Sequence, residues 1–265
     1  MIGFIGAGNM GFSMIQGMIN NNISQESIHI FDKNPSTKDR FNGTNIIIKD
    51  SAIEVAKSCK YIIIGVKPNV YDIVLEEIKN YITPDTVIIT IAAGYRVENV
   101  ENILGKCKIV RTMPNTPALC TEGFTAVYFN ECISSEEKEF TLSILNSFGR
   151  CSVVEKEDTI NAYSAISGSG PAFVSMMIES LADAAVLLGI PRSEAYLIAS
   201  QTVLGSGKLC RDTSMHPGTL KDMVCSPGGT TIEGVRTLEE KGFRSAVIEG
   251  VINTYKKNLD ISNIR

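Results

Sequence analysis

The chain has little of the residue types that most often serve acid–base and metal chemistry. It holds two histidines, His29 and His216, and no Cys/His spacing of the kind that binds zinc, so no metal site is expected. Its seven cysteines, at 59, 107, 120, 132, 151, 210 and 225, include no CxxC pair. An odd count without ligand spacing reads as buried or idle thiols in a reducing compartment, and a cytoplasmic location is expected. Long apolar runs are missing. YIIIGV (61–66) and TVIITIAAG (86–94) are the longest, well short of the ~20 residues that span a bilayer, so no membrane partner is expected. Basic runs are missing too, and the net charge is −4, which argues against a nucleic-acid partner. The opening MIGFIGAGNMG enters a strand pattern directly, without a basic n-region, and no signal peptide is expected. What is present, 44% hydrophobic and 20% charged residues, suits a soluble globular chain with one large core or two ordinary ones.

The first half alternates short β-rich runs with helical stretches. Strands are expected at 1–6, 27–32, 45–48, 60–66, 86–91, 107–111, 123–129 and 151–155. Helices are expected in MGFSMIQGMINN, SAIEVAKSC, VYDIVLEEIKNYI, VENVENIL and at 134–147. This alternation predicts βαβ units and a mostly parallel, Rossmann-type sheet. After about residue 157 no strand pattern remains. Helices are expected at 167–190, 192–210, 216–224, 231–241 and 243–258. The expected organisation is a dinucleotide-binding domain over 1–157 and an all-α domain over 158–265. Within the long helix Phe173, Met176, Met177, Ile178, Leu181, Ala184, Ala185, Leu187 and Leu188 cover most faces. A helix apolar on most sides must be buried on most sides. Either it packs against its counterpart in a second chain, the favoured reading, or it runs through the middle of its own domain.

GAGNMG (6–11) follows the first strand and opens the first helix. In that setting Gly6 permits a tight turn, Gly8 lets a pyrophosphate approach the backbone, and Gly11 allows close helix–strand packing. The phosphates would sit at the helix N-terminus, among unpaired N–H groups. Asp32 ends the next strand, where a carboxylate bonds ribose hydroxyls and favours NADH; Lys33 follows it and could instead accept a 2′-phosphate, so NADPH and NADH both stay open. Three further strand ends, GVKP (65–68), TIAAG (90–94) and RTMPNTP (111–117), combine proline turns with small residues, as a nicotinamide pocket requires.

SPGGTTIEGV (226–235) resembles a second anion cradle. Thr230 and Glu233 have capping-box spacing, which predicts Thr230 as N-cap and a helix from Thr231 to Lys241, stopped by Gly242. Gly228 and Gly229 allow close backbone approach. A small carboxylate could sit on the following N–H groups, with Ser226 and Thr231 hydroxyls adding bonds. Oxidation of a hydroxy acid would need a histidine or lysine base near the reacting carbon. His29 lies on a strand at the adenosine side, and His216 precedes Pro217 at a helix start. A protonated imine accepts hydride without such a base, so the protein need mainly position two molecules. A hydroxyl such as that of Thr231 could bond the imine nitrogen.

GAGNMG, VKP, RTMPNTP, SGSGPA and SPGGTTIEG, in this order, resemble the pyrroline-5-carboxylate reductase family over residues 1 to about 258. The stretch HPGTLKDMVCSPGGTTIEGVRTLE carries most of the likeness. The resemblance implies NAD(P)H-dependent reduction of a cyclic imino acid to proline, the last step of proline biosynthesis, by a homodimer or a larger ring of dimers. It implies cofactor contacts from Gly6, Ala7, Gly8, Asn9, Met10, Gly11, Val66, Lys67 with Pro68, and Ala92. Ser226, Gly229, Thr230 and Thr231 would hold the substrate, with Thr231 the catalytic hydroxyl nearest the imine, and Glu157 matches an acidic position near the substrate. Glu157 could equally be a solvated charge in EKED. FDKN at the second strand end, where many members carry a neutral or Asn-Arg pair, weakens the usual NADPH preference. The alternatives are a related imine reductase or β-hydroxyacid dehydrogenase, and a non-catalytic dinucleotide-binding regulator.

Overall fold

The computed structural model describes residues 1–263 and divides into two compact units, 1–168 with the chain end from Thr254, and 169–253. The first unit is built on one eight-stranded sheet: β1 (Ile2–Ile5), β2 (Ile28–Phe31), β3 (Ile47–Ile48), β4 (Tyr61–Ile64), β5 (Val87–Thr90), β6 (Lys108–Met113), β7 (Gly123–Phe129) and β8 (Gly149–Val153). The spatial order is β3-β2-β1-β4-β5-β6-β7-β8. All neighbours run parallel except β6 and β7. The mostly parallel Rossmann-type sheet expected from the sequence is therefore present, with each strand found and most trimmed by a residue or two.

Strands β1, β4 and β5 are buried throughout, as continuous apolar runs in a parallel sheet must be. Their side chains alternate between two cores. Phe4, Ile63 and Ile89 meet Met14, Ile15 and Met18 of α1 (Asn9–Asn20) on one face. Ile5, Ile62, Ile64 and Ile88 meet the other face. There they pack on α3 (Ala52–Ser58), α4 (Tyr71–Ile78) and α5 (Val97–Leu104), while α6 (Ser135–Asn146) returns to the first face. A short helix, α2 (Pro35–Asp39), follows β2 where none is expected. Asn34 caps it through the Ser36 N–H at 3.1 Å and Pro35 opens it, a signal readable in NPS but too short to register as a periodic stretch.

The turn after β1 meets the turn after β4. Gly6 has φ +93°, and a Cβ there would lie 2.7 Å from the Gly65 carbonyl carbon. A Cβ on Gly65 would lie 2.4 Å from the Gly6 oxygen, and one on Gly11 2.8 Å from the same oxygen. Three backbone segments therefore touch at one point, and each needs glycine there.

The second unit is helical: α8 (Gly170–Leu187), α9 (Arg192–Thr213), α10 (Pro217–Val224), α11 (Thr230–Glu240) and the first part of α12 (Phe243–Asn263), after a short α7 (Thr159–Tyr163) that belongs to the first unit. The long helix expected at 167–190 is shorter. A wider π turn occupies Ser164–Gly168, Pro171 lies in the first turn, and Gly189 at φ +90° ends it. The last helix runs past the expected residue 258 because no glycine or proline stops it. Of α8 only Ala182 is buried, against Ala195 and Ala199 of α9. That excludes a helix running through the middle of its own unit. Met176, Leu187 and Leu188 are 64%, 89% and 83% exposed. Thr159–Leu187 has a window of mean hydropathy 1.3, long and apolar enough by composition to cross a membrane. The sequence runs hide this because Ser, Gly and Pro interrupt them.

Replacing Gly65 by alanine drives a methyl group into the Gly6 carbonyl. Gly65→Ala is expected to lower the unfolding free energy by roughly 2–3 kcal/mol in urea titration; an unchanged midpoint would show that the two turns have room to part.

Candidate functional site

The carboxyl ends of β1, β2 and β4 open into a cavity of about 700 Å³ whose lining includes Gly6, Gly8, Asp32, Lys33, Val66 and Lys67. Six of the sequence-derived cofactor residues thus share one cleft. Gly8 is the N-cap of α1, without a side-chain cap, and a Cβ on it would meet nothing within 4 Å. No protein atom therefore excludes a side chain there. Glycine instead keeps open the approach to the first-turn N–H groups, where the helix dipole favours an anion. This geometry fits the pyrophosphate of a dinucleotide.

The remaining expected contacts have other surroundings. Ala7 and Gly11 are buried, and Met10 packs on the core. Asn9 accepts from Arg40 Nη1 at 3.4 Å. Pro68 opens a 3-10 turn beyond β4, and Ala92 is buried beyond β5. The Ala7 N–H donates to Asp32 Oδ2 at 2.8 Å, and the Asn34 N–H donates to Oδ1 at 2.8 Å. Asp32 therefore ties the glycine loop to the end of β2.

Sequence reasoning missed Tyr71. Its buried hydroxyl donates to the Ile64 carbonyl and accepts from the Ile91 N–H at 3.1 Å, bridging the carboxyl ends of β4 and β5. Burial pushes its pKa above the ordinary range, so it stays a neutral donor. Asn115, in the loop after β6, donates to the Ser167 carbonyl and accepts from the Phe124 N–H, both at 2.8 Å. Asn115 lies within RTMPNTP, but its role, like that of Tyr71, is found only by asking where backbone groups at strand ends are satisfied. His29 is buried on β2 beside the Ser58 hydroxyl, with Nδ1 to Oγ 2.9 Å, and burial together with Lys49 lowers its pKa. His216 caps α10 by accepting the Gly218 N–H.

Glu157 is not a solvated charge. Its Oε1 accepts from the Val97 N–H at the start of α5 and from Arg111 Nη1, both at 2.8 Å. Arg96 bonds Asp158 at 2.6 Å beside it. The Arg111 side chain is 2% exposed; burial lowers its pKa, and Glu157 opposes that shift. A buried guanidinium needs such a partner.

In the second unit the loop before α11 is exposed. Gly228 has φ +67°, and Gly229 N–H bonds the Ser226 carbonyl at 3.0 Å. Gly229, not Thr230, is the N-cap, and the capping box is not formed. The two glycines bring the chain into the helix one residue early. Glu233 turns to Arg236 (2.7 Å), a full charge partner one turn on. The first-turn N–H groups are thus left uncapped by any side chain, with the Thr230 and Thr231 hydroxyls on that same turn.

Two family models match the chain, one described as pyrroline-5-carboxylate reductase dimerisation over residues 157–261 and one as NADP oxidoreductase coenzyme F420-dependent over residues 1–94. A pyrroline-5-carboxylate reductase of Escherichia coli (strain K12) is 44% identical across 98% of both chains. The chain belongs to the pyrroline-5-carboxylate reductase family. Relatives of that name in Methanosarcina acetivorans and Danio rerio are 38% and 37% identical, covering 98% and 99% of this chain and 97% and 91% of theirs. The solved structure of the Coxiella burnetii reductase superposes with TM-score 0.93 at 31% identity over 98% of each chain. That of the Plasmodium falciparum enzyme, with NADP bound, gives 0.87 at 33% over 98% and 97%. A prephenate dehydrogenase from Aquifex aeolicus at 12% identity shares the fold alone. Family membership displaces the hydroxyacid dehydrogenase and regulator alternatives. The chain is an NAD(P)H-dependent oxidoreductase that oligomerises through its helical region.

Removing one member of the buried pair strands the other. Glu157→Gln is expected to cost roughly 3–5 kcal/mol of stability in urea titration, with Arg111→Met in the same chain restoring part of it; a cost below 1 kcal/mol, or no restoration, would mean that the pair is not coupled.

Proposed function

We propose that this chain reduces 1-pyrroline-5-carboxylate to L-proline with NAD(P)H, with Thr231 as the catalytic hydroxyl and Ser226, Gly229 and Thr230 holding the substrate carboxylate. The observation that carries the reading is the second uncapped helix start at Gly229, in a chain whose first unit already has a dinucleotide cleft. A dinucleotide held by the first unit would supply a hydride to the imine carbon, with the nitrogen keeping its proton. For this the protein needs to orient and to hold charge, not to deprotonate. First-turn N–H groups of α11 and the Ser226 and Thr230 hydroxyls bind the carboxylate. The Thr231 hydroxyl bonds the ring nitrogen and fixes which face is presented. Residues 6–11, Asp32, Lys33, Val66, Lys67, Pro68 and Ala92 form the cofactor side. For Glu157 we assign a part on the substrate side through Arg111 and α5, which it fixes in place. We put the functional division near residue 157, a reading the start of the dimerisation match supports, although the first compact unit runs on to residue 168.

The same reading makes the apolar faces of α8, α9 and α12 a contact between two copies, as a homodimer or a ring of dimers in the cytoplasm. Aqueous exposure of Leu187, Leu188 and Leu197 at 66–89% is costly at about 25 cal/mol per Å². A second copy removes that cost without a membrane or a nucleic acid.

Thr231→Ala is expected to lower kcat roughly 10- to 100-fold while changing stability by less than about 0.5 kcal/mol and leaving NAD(P)H affinity intact. Full activity in this variant would remove Thr231 from the chemistry. Sedimentation equilibrium at micromolar concentration should show no monomer, and Leu187→Glu with Met176→Glu should yield monomer; a monomeric wild type would contradict the dimer.

A further inference from the structure

Two cysteines meet at the amino end of β6, on the side of the sheet away from the strand ends that form the dinucleotide cleft. β6 and β7 pair antiparallel, from Met113 against Ala126 to Val110 against Phe129. The Asn130 N–H extends the ladder to the Ile109 carbonyl at 3.1 Å. Its side chain then clasps the start of β6: Oδ1 accepts from the Ile109 N–H at 3.1 Å, and Nδ2 donates to the Cys107 carbonyl at 2.8 Å. Lys106 and Glu131 form an ion pair across the same gap. The register, carried on past Val110 and Phe129, sets Cys107 against Cys132. Residues opposed across an antiparallel ladder lie about 4.5–5.5 Å apart at Cα, and a disulfide spans about 4.4–6.8 Å. Both thiols are free and half-buried, and they line one surface cavity of about 380 Å³ beside Lys106.

Their surroundings give the two thiols different parts. Burial raises the Cys107 pKa to about 11, with Glu101 and Cys132 adding to the shift, so this thiol stays protonated. Cys132 lies near the Lys106 ammonium, so it attacks first, as the thiolate, and Cys107 resolves. Burial also raises the pKa of Cys59 and pushes that of Cys151 to about 12, so neither competes near neutral pH. We propose that Cys107 and Cys132 are a modification site, a dithiol that a low-molecular-weight disulfide such as glutathione disulfide oxidises reversibly to an intramolecular bridge. The Cys132 thiolate attacks one sulfur of the oxidant. A new S–S bond forms, the old one breaks, and half of the oxidant leaves as a thiolate that takes up the proton Cys132 released. Cys107, its proton passed to water, attacks Cys132 Sγ and releases the other half. The protein gives up two electrons and two protons, and the oxidant becomes two thiols. The bridge closes the loop 107–132 and takes entropy from the unfolded chain. It stands apart from the reading of the dinucleotide cleft.

The full-length protein is incubated with glutathione disulfide, quenched in acid, and analysed by intact mass and by peptic mapping without reductant. Two of the seven thiols should be lost, in one Cys107–Cys132 bridge that dithiothreitol reopens, and the urea midpoint of the oxidised protein should rise. Cys107→Ser should stop at a glutathione adduct on Cys132, and Cys132→Ser should form no bridge. Glutathione retained on Cys132 of the wild type, a bridge from either cysteine to a third or to another chain, no reaction, or a midpoint that fails to rise would overturn the proposal. Should a serine variant fail to fold, the wild-type map and midpoint decide alone.

Discussion

The cofactor cleft depends on a backbone contact. Gly6 and Gly65 sit so close that neither tolerates a Cβ, and Gly11 presses on the same carbonyl. This closeness sets the start of α1 against the ends of β1 and β4, where the sheet leaves its strand ends open. From it follow the exposed first turn at Gly8, the position of the loop that Asp32 ties down, and the wall that Val66 and Lys67 complete. Side chains then fix what the backbone has arranged. Tyr71 holds the ends of β4 and β5 at one spacing, and Asn115 holds the loop after β6. All are short-range interactions made at the carboxyl ends of the strands.

A different principle governs the helical unit. Its internal seam centres on alanines, Ala182 against Ala195 and Ala199, with Ile178, Val186 and Ile190 partly buried beside them. Many of the larger apolar side chains, Met176, Leu187, Leu188 and Leu197 among them, remain exposed. A unit arranged in this way is stable only when a second surface covers it. Covering these faces is therefore a task for assembly rather than for the unit's own core.

Much of this was legible in the residues. Apolar runs of about four flanked by turn signals located the central strands β1, β4 and β5, because a parallel strand buried on both faces leaves no alternation to misread. GAGNMG marked the turn into α1, since Gly6 and Gly11 are required there by backbone geometry. Helix ends were read less well. Thr230 and Glu233 have the spacing of a capping box, yet Arg236 offers Glu233 a stronger partner and Gly229 takes the cap; spacing alone does not show such competition. The Glu157–Arg111 pair lay beyond reach for a similar reason. Its members are 46 residues apart, and only the fold brings a charge on β6 to the start of the helical region. Ala92 and Pro68 carry the right residue types at the right strand ends, but small residues at strand ends serve packing as often as ligands.

Transfer of label from cofactor to product tests the central claim most directly. The protein is incubated with 1-pyrroline-5-carboxylate and NADH or NADPH carrying deuterium at the transferable position of the nicotinamide, and the product is analysed by mass spectrometry and NMR. The account predicts L-proline with one deuterium, on the former imine carbon and on a single face. Proline without deuterium, label spread over both faces, or no proline at all would contradict it.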